Sequence, residues 1–126
     1  LIASGLVTQR DSTNSDSEYY DRFRARVMFP ICNDTGEVIA FSGRILEKDP
    51  KAAKYVNSPE TPLFSKGAVL FGIHRSKRAL IQSNSAIVCE GQIDLITAFE
   101  SGIQNVIAPQ GTAFTSRQAR ILKPYV

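Results

Sequence analysis

Two carboxylates four residues apart open the stretch with the most chemical content. Residues 87–103 read Ile-Val-Cys-Glu-Gly-Gln-Ile-Asp-Leu-Ile-Thr-Ala-Phe-Glu-Ser-Gly-Ile. An apolar run ends in Glu90 and Gly91, and an amphipathic helix follows with Asp94 in its first turn. Glu90 then stands at the carboxyl end of a strand, where ligands and catalytic groups collect in open α/β sheets. Asp94, one helical turn on, falls on the same side. Carboxylates so placed could hold a divalent metal, or one could move a proton while the other holds the metal. The same spacing also suits two charges that only favour a helix N-terminus, an effect of under about 1 kcal/mol.

The elements that must position this pair read as βαβα from residue 86 onward. A strand over Ala86–Cys89 leads to a helix over Gln92–Ser101, closed by Gly102 as a left-handed cap. A strand over Asn105–Ala108 and a Pro-Gln-Gly-Thr turn come next. Thr115 with Gln118 forms a capping box for a last helix, which Pro124 ends. Alternation of this kind implies parallel strands joined by right-handed crossovers. Two strands make a thin layer, so this half reads as truncated.

Upstream the pattern differs. Residues 1–9 read as the end of a helix, and residues 10–18 as an exposed polar loop. Over residues 22–31, Phe23, Ala25, Val27, Phe29 and Ile31 share one parity and Arg22, Arg24 and Arg26 the other. That period predicts a strand with one apolar and one arginine face, although alternating arginines also keep an edge strand soluble. Asn33-Asp34-Thr35-Gly36 is a turn signal, and Val38–Ile45 reads as the return strand of a hairpin. Pro59 forbids a continuous central strand or helix around Lys54–Thr61, which reads as an extended segment presenting its side chains. Val69-Leu70-Phe71 is a short apolar strand. Gly72 leads into a helix of about ten residues with Ile73, Leu80 and Ile81 buried and Arg75, Lys77 and Arg78 solvated.

Composition narrows the class. The hydrophobic fraction of 43% and charged fraction of 21% over 126 residues are those of an ordinary globular protein. No apolar run nears the ~20 residues of a membrane span, and no secretory signal opens the chain. A first residue of Leu1 reads as a chain cut from something longer. The formal charge is +3, and by count residues 1–84 hold 12 Lys and Arg against 9 Asp and Glu while residues 85–126 hold 3 against 3. The excess suits a polyanion partner only weakly. The two cysteines, Cys32 and Cys89, are far apart and fit no zinc pattern; Cys89 reads as a buried free thiol, which suits a reducing cytoplasm. The single histidine, His74, reads as a surface or packing residue.

Taken together, these blocks resemble the catalytic core of bacterial replicative DNA primases of the DnaG type. The residues that carry the likeness are Tyr20–Ile31 (YDRFRARVMFPI), Ile39–Arg44, Lys54–Thr61 (KYVNSPET) with Phe64 and Lys66-Gly67, Glu90-Gly91-Gln92-Ile93-Asp94, and Gly111–Thr115 (GTAFT). The penultimate block is similar to the EGxxD start of a Toprim domain, the metal-binding part of that family. A lone EGxxD carries little; the ordered set, over residues 20–120, is specific. The resemblance implies a mixed α/β fold, with residues 1–84 a partial basic subdomain and residues 85–126 the first half of a Toprim domain.

The activity it implies is synthesis of short RNA primers on single-stranded DNA by metal-dependent nucleotidyl transfer. Glu90 would aid proton transfer at the metal centre and Asp94 would support the site, with Mg²⁺ or Mn²⁺ as the ion. Arg44, Lys54, Tyr55, Asn57 and Lys66, with Arg22, Arg24 and Arg26, would line a groove for template, nascent primer and ribonucleoside triphosphates. The implied setting is the cytoplasm, at the replication fork on the nucleoid, with a replicative helicase bound through parts outside this chain and no membrane. Departures are visible. Ala40 and Ser42 stand where the family has glycines, and Gln92 and Ile93 where an aromatic residue and a methionine are common. The Asp-x-Asp strand that supplies further metal ligands does not occur after residue 94, and the zinc-binding module is absent. The 126 residues are therefore expected to be inactive alone. Two alternatives stay open: a nucleic-acid-binding or interaction module with a vestigial site, and another Toprim enzyme, a nuclease or topoisomerase.

Overall fold

The computed structural model describes residues 1–10 and 19–126, so all of the expected 10–18 loop except Arg10 lies outside the described residues. The fold is mixed α/β, built on two three-stranded sheets and a two-stranded ribbon. The ribbon pairs β1 (Val7–Gln9) antiparallel with β2 (Tyr19–Asp21). This corrects the helix expected over residues 1–9. Ile2–Gly5 form a turn closed by Gly5 N–H donating to Ile2 O at 2.9 Å, and Val7 and Thr8 are β-branched. A stretch that short cannot pay for helix nucleation.

The first sheet follows the hairpin reading. β3 (Arg26–Cys32) and β4 (Val38–Ile45) are antiparallel, and β5 (Tyr55–Asn57) adds to the other edge of β4. In the turn, Asn33 Oδ1 accepts from the backbone N–H groups of Thr35 and Glu37, and Gly36 takes φ +93°. That conformation is nearly free to glycine alone. The arginine face expected over 22–31 does not form. Ala25 adopts φ +49° and its carbonyl accepts from Leu46 N–H, so the strand begins only at Arg26. Arg22 and Arg24 lie off it. The buried positions are Ile31 and Ala40, packed with Phe64 and Val69, whereas Val27 is 46% exposed.

The second sheet holds β6 (Leu70–Phe71), β7 (Ile87–Val88) and β8 (Val106–Pro109) in the order β6-β8-β7. β8 is parallel to β7 and antiparallel to β6. The βαβα pattern predicts two strands; the third comes from Leu70–Phe71, a run too short to display a period. All of β8 is buried, and its alternate residues serve opposite faces. Ile107 packs with Leu70 of β6, Ile73 and Leu80 of α1 (Ile73–Ser83) and Leu122 of α3 (Ser116–Leu122). Val106 and Ala108 pack with Leu95 of α2 (Gln92–Glu100). Gly102 caps α2 at φ +91° as expected.

Several side chains depart from their expected places. Ile81 is 61% exposed, because Ile73, Ser76 and Leu80 already fill the inner face of α1. Ser76 is buried and its hydroxyl donates to Val106 O at 2.7 Å. Lys77 is not simply solvated: it pairs with Asp34 at 3.3 Å and lies over the Tyr125 ring, whereas Arg75 and Arg78 are exposed. Cys89 is a free thiol but only half-buried, beyond the end of β7. Among the described residues no helix is long and apolar enough to cross a membrane.

Candidate functional site

Glu90 follows the end of β7, and Cys89 N–H still bonds to Ile107 O at 2.9 Å before the chain turns. Gly91 is the extended N-cap residue of α2, and Asp94 is the acid of its first turn. A side-chain carbon at position 91 would stand 3.3 Å from Asp94 Oδ2, so the glycine leaves room for that carboxylate to fold back over the turn. Both carboxylates are exposed. Among the described residues neither has a cationic partner within ion-pair distance, and no third His, Cys, Asp or Glu joins them as a metal-holding group. Burial, and then the charge of Asp94, push the Cys89 thiol above its ordinary range, so it stays protonated beside Glu90.

Glu90 also lines a cleft of about 230 Å³ between the two sheets. One wall carries Ser42, Tyr55 and Asn57; the other carries Gln92 and Gln110. The register explains the first wall. Ser42 is paired with Asn57 and Arg44 with Tyr55, so these four share one face of the β4–β5 pair. The second wall is made by residues at the carboxyl ends of the parallel neighbours β7 and β8. Gln92 Nε2 donates to Gln110 Oε1 at 2.8 Å. Ser42 Oγ, Asn57 Oδ1, Gln92 Oε1 and Gln110 Nε2 are buried without a partner. Each such atom costs about 1–3 kcal/mol in desolvation unless something satisfies it.

The predicted cations are placed unevenly. Arg22 Nε donates to Asn57 O at 3.0 Å. Arg26 Nη1 donates to Gly43 O at 3.2 Å and Lys54 O at 3.3 Å. Arg24 lies over the Tyr20 ring, 5.3 Å from its centroid, as does Arg10 at 5.2 Å. Arg44 and Lys54 flank a separate hollow with Asp49 at the outer end of the sheet. Lys66 opens a 3₁₀ turn, Lys66–Ala68, that is tied to the start of α3. Gln118 Nε2 donates to Lys66 O at 3.2 Å and Val69 O at 2.9 Å, and Thr115 Oγ1 donates to Gly67 O at 2.7 Å. The same two side chains complete the expected capping box.

The structure thus brings Tyr55 and Asn57 to Glu90, with Asp94 in the adjoining helical turn. Arg44 and Lys54 stand in a neighbouring hollow, and Lys66 lines neither. Ser42, Gln92 and Gln110 were not among the residues singled out from sequence for a binding role. Ser42 and Gln92 could have been found as polar replacements of a glycine and an aromatic residue. Gln110 follows the carboxyl end of a strand parallel to the one that delivers Glu90, which is the rule that located Glu90 itself.

Known proteins share the sequence and fold of this chain. The model of the DNA primase catalytic core, N-terminal domain, matches residues 1–77, and a Toprim-like model matches residues 87–126. A DNA primase of Halalkalibacterium halodurans is 44% identical over 120 residues, covering 95% of this chain and 19% of the relative. The crystal structure of the Aquifex aeolicus primase, zinc-binding and RNA polymerase domains, superposes with a TM-score of 0.88 at 38% identity, over 99% of this chain and 30% of that one. A DnaG primase catalytic domain bound to single-stranded DNA superposes with a TM-score of 0.83 at 38% identity, over 98% of this chain and 38% of that one. The chain spans about a fifth of the length of the curated relatives it matches. It belongs to the DnaG-type bacterial DNA primase family, as a segment of the catalytic core that joins the N-terminal domain to Toprim-like sequence.

Proposed function

We propose that this chain is the part of a primase that holds the primer terminus and incoming nucleotide beside the first catalytic carboxylate. The observation that carries the reading is the cleft where Glu90 faces Tyr55 and Asn57 across the two sheets. In the full-length protein the reaction is metal-dependent synthesis of short RNA primers on single-stranded DNA, from ribonucleoside triphosphates. We assign residues 1–84 to the basic subdomain and 85–126 to the Toprim half, with β6 and α1 reaching across that division to complete the second sheet.

In this reading Glu90 accepts the proton of the attacking 3′-hydroxyl, and its exposure at the edge of the cleft supports that role. Asp94 supports the same centre from one helical turn away. Two exposed carboxylates without an ion-pair partner among the described residues suit a hard cation of the Mg²⁺ or Mn²⁺ kind, since Mg²⁺ is commonly held by one or two carboxylates with water and substrate phosphates. Such an ion, when bound, neutralises triphosphate charge. Arg44, Lys54 and Lys66 are the assigned phosphate contacts, and Tyr55 the stacking surface. Arg22, Arg24 and Arg26 contribute to the same basic surface while bracing its backbone and Tyr20. A replicative helicase and a place at the cytoplasmic replication fork follow from the same reading.

The test is primer synthesis on single-stranded DNA with labelled ribonucleotides and Mg²⁺ or Mn²⁺, for this chain beside a full-length protein containing it. Products from the full-length protein alone support the reading. No product from either, with DNA binding retained, would leave a nucleic-acid-binding module.

A further inference from the structure

Four polar atoms without a protein partner belong to side chains around one cleft: Ser42 Oγ, Asn57 Oδ1, Gln92 Oε1 and Gln110 Nε2. Elsewhere among the described residues only His74 Nδ1 is buried in the same condition. Unsatisfied buried polar groups are rare in native proteins, so such a concentration calls for a partner from outside the chain, water or ligand. Ser42, Gln92 and Gln110 are each more than nine-tenths buried. We propose that this wall is a nucleobase subsite, in which Tyr55 offers a stacking face and the Gln92–Gln110 amide pair reads a base edge. The proposal rests on the primase reading above and names the part of the nucleotide this cleft takes.

The chemistry of the lining selects that part. Among the described residues that line the cleft Glu90 alone is charged, and its sign repels phosphate. The remaining polar groups are neutral hydroxyls and amides, which do not bind triphosphate strongly. At about 230 Å³ the cleft falls below the roughly 300 Å³ at which pockets for whole ligands begin, so it fits one moiety. Within the amide pair, the bond from Gln92 Nε2 to Gln110 Oε1 leaves one acceptor and one donor free. Turning both amides by half a rotation keeps a bond between them and exchanges those roles. Either way the pair presents one donor and one acceptor, the complement of a base edge, which offers an acceptor and a donor side by side. The free atoms lie out of solvent contact, so the amides must rotate toward the cleft as the base enters.

The experiment is a magnetic-resonance titration of the chain with guanosine 5′-monophosphate, and separately with inorganic tripolyphosphate, following the side-chain amide signals of Gln92 and Gln110. Saturable movement of those signals with the nucleotide but not with tripolyphosphate is expected. The Gln92→Leu/Gln110→Leu double variant removes both partners at once, leaving no orphan between them, and should bind the nucleotide about tenfold more weakly with tripolyphosphate binding unchanged. Unmoved amide signals while the Gly91 and Gly111 backbone signals shift would overturn the proposal, as would a folded double variant with undiminished affinity. Should the double variant not fold, the amide signals of the unaltered chain decide the matter. A chain that binds neither the nucleotide nor single-stranded DNA would overturn the primase reading along with this one; a chain that binds DNA but shows nucleotide-insensitive amides overturns this one alone.

Discussion

The basic half and the neutral half of the molecule use charge in opposite ways. Upstream, Arg22 and Arg26 donate to the carbonyls of Asn57, Gly43 and Lys54, Arg24 rests on Tyr20, and Lys77 is paired with Asp34. Downstream, Glu90 and Asp94 are exposed and have no cation within ion-pair distance among the described residues, while the fold around them is held by neutral groups, Thr115 and Gln118 together with Ser76 of α1. A tally of charges therefore misstates which half has charge to offer a ligand. Upstream, Arg22 and Arg26 are occupied with the protein's own backbone. The three downstream acids include two, Glu90 and Asp94, with no ion-pair partner among the described residues.

The most severe way to break this contrast is to neutralise one of the free acids. In a full-length primase carrying this segment, Glu90→Gln should reduce primer synthesis by about 10²-fold or more, the scale of a lost general base, with the melting temperature unchanged. Synthesis and thermal unfolding, measured on the same preparation, decide it. Near-normal synthesis would reject the role assigned to Glu90. A large loss of stability would mean that its charge is structural after all.

Next in size is the neutral framework. Gln118 is fully buried, and its side chain serves Lys66 O, Val69 O and the Thr115 N–H. Gln118→Leu leaves those groups without that partner and should cost about 2–4 kcal/mol in urea unfolding. Because the same bonds seat the Lys66-Gly67 turn, DNA binding should weaken as well. A stability within error of the parent would show that the downstream half does not depend on this neutral contact.

The hairpin was legible because its signals are local. The turn residues Asn33 and Gly36, the eight residues of β4 and the Thr115–Gln118 capping box all state their geometry in adjacent positions. The carboxylate pair was legible for the same reason. What escaped depended on partners distant in sequence. Ala25 takes its left-handed conformation where Leu46 bonds to its carbonyl and Arg26 reaches Gly43 and Lys54, and nothing in the alternation over 22–31 reveals that break. The short strand at Leu70–Phe71 was legible, but its antiparallel pairing with β8, which makes it the third strand of the second sheet, was not. The Gln92–Gln110 contact joins residues 18 apart in positions where polar side chains would ordinarily be read as solvated.

The upstream half can be separated into bracing and available cations. Arg26→Ala should lose about 1–2 kcal/mol of stability, since the charged donor serves two carbonyls. Lys54→Ala and Lys66→Ala should leave stability within about 0.5 kcal/mol, because neither ammonium has a partner among the described residues. Each lysine variant should instead bind single-stranded DNA more weakly and lower the salt slope by about 0.7. Denaturation and binding across a salt series measure both axes. Equal stability losses in all three variants would erase the distinction.

The smallest effect concerns a basic group kept from charging. His74 on α1 is held below its ordinary pKa of 6.5, first by burial and then by Arg75 and Lys77, and its Nδ1 has no partner among the described residues. For a base depressed in the folded state, the unfolded chain binds the proton first as pH falls. The stability associated with His74 is therefore complete above the unfolded value and is lost as pH drops through about 6.5. Urea midpoints from about pH 8 to about pH 5.5 should decline over that window, and His74→Gln should flatten the decline. The Glu37 carboxyl, held below its ordinary 4.5 by Asn33 and Thr35, contributes at lower pH and does not confuse the range. An unchanged slope in His74→Gln would mean that α1 tolerates a charged histidine, and the upstream half would then have one more cation to offer than its contacts imply.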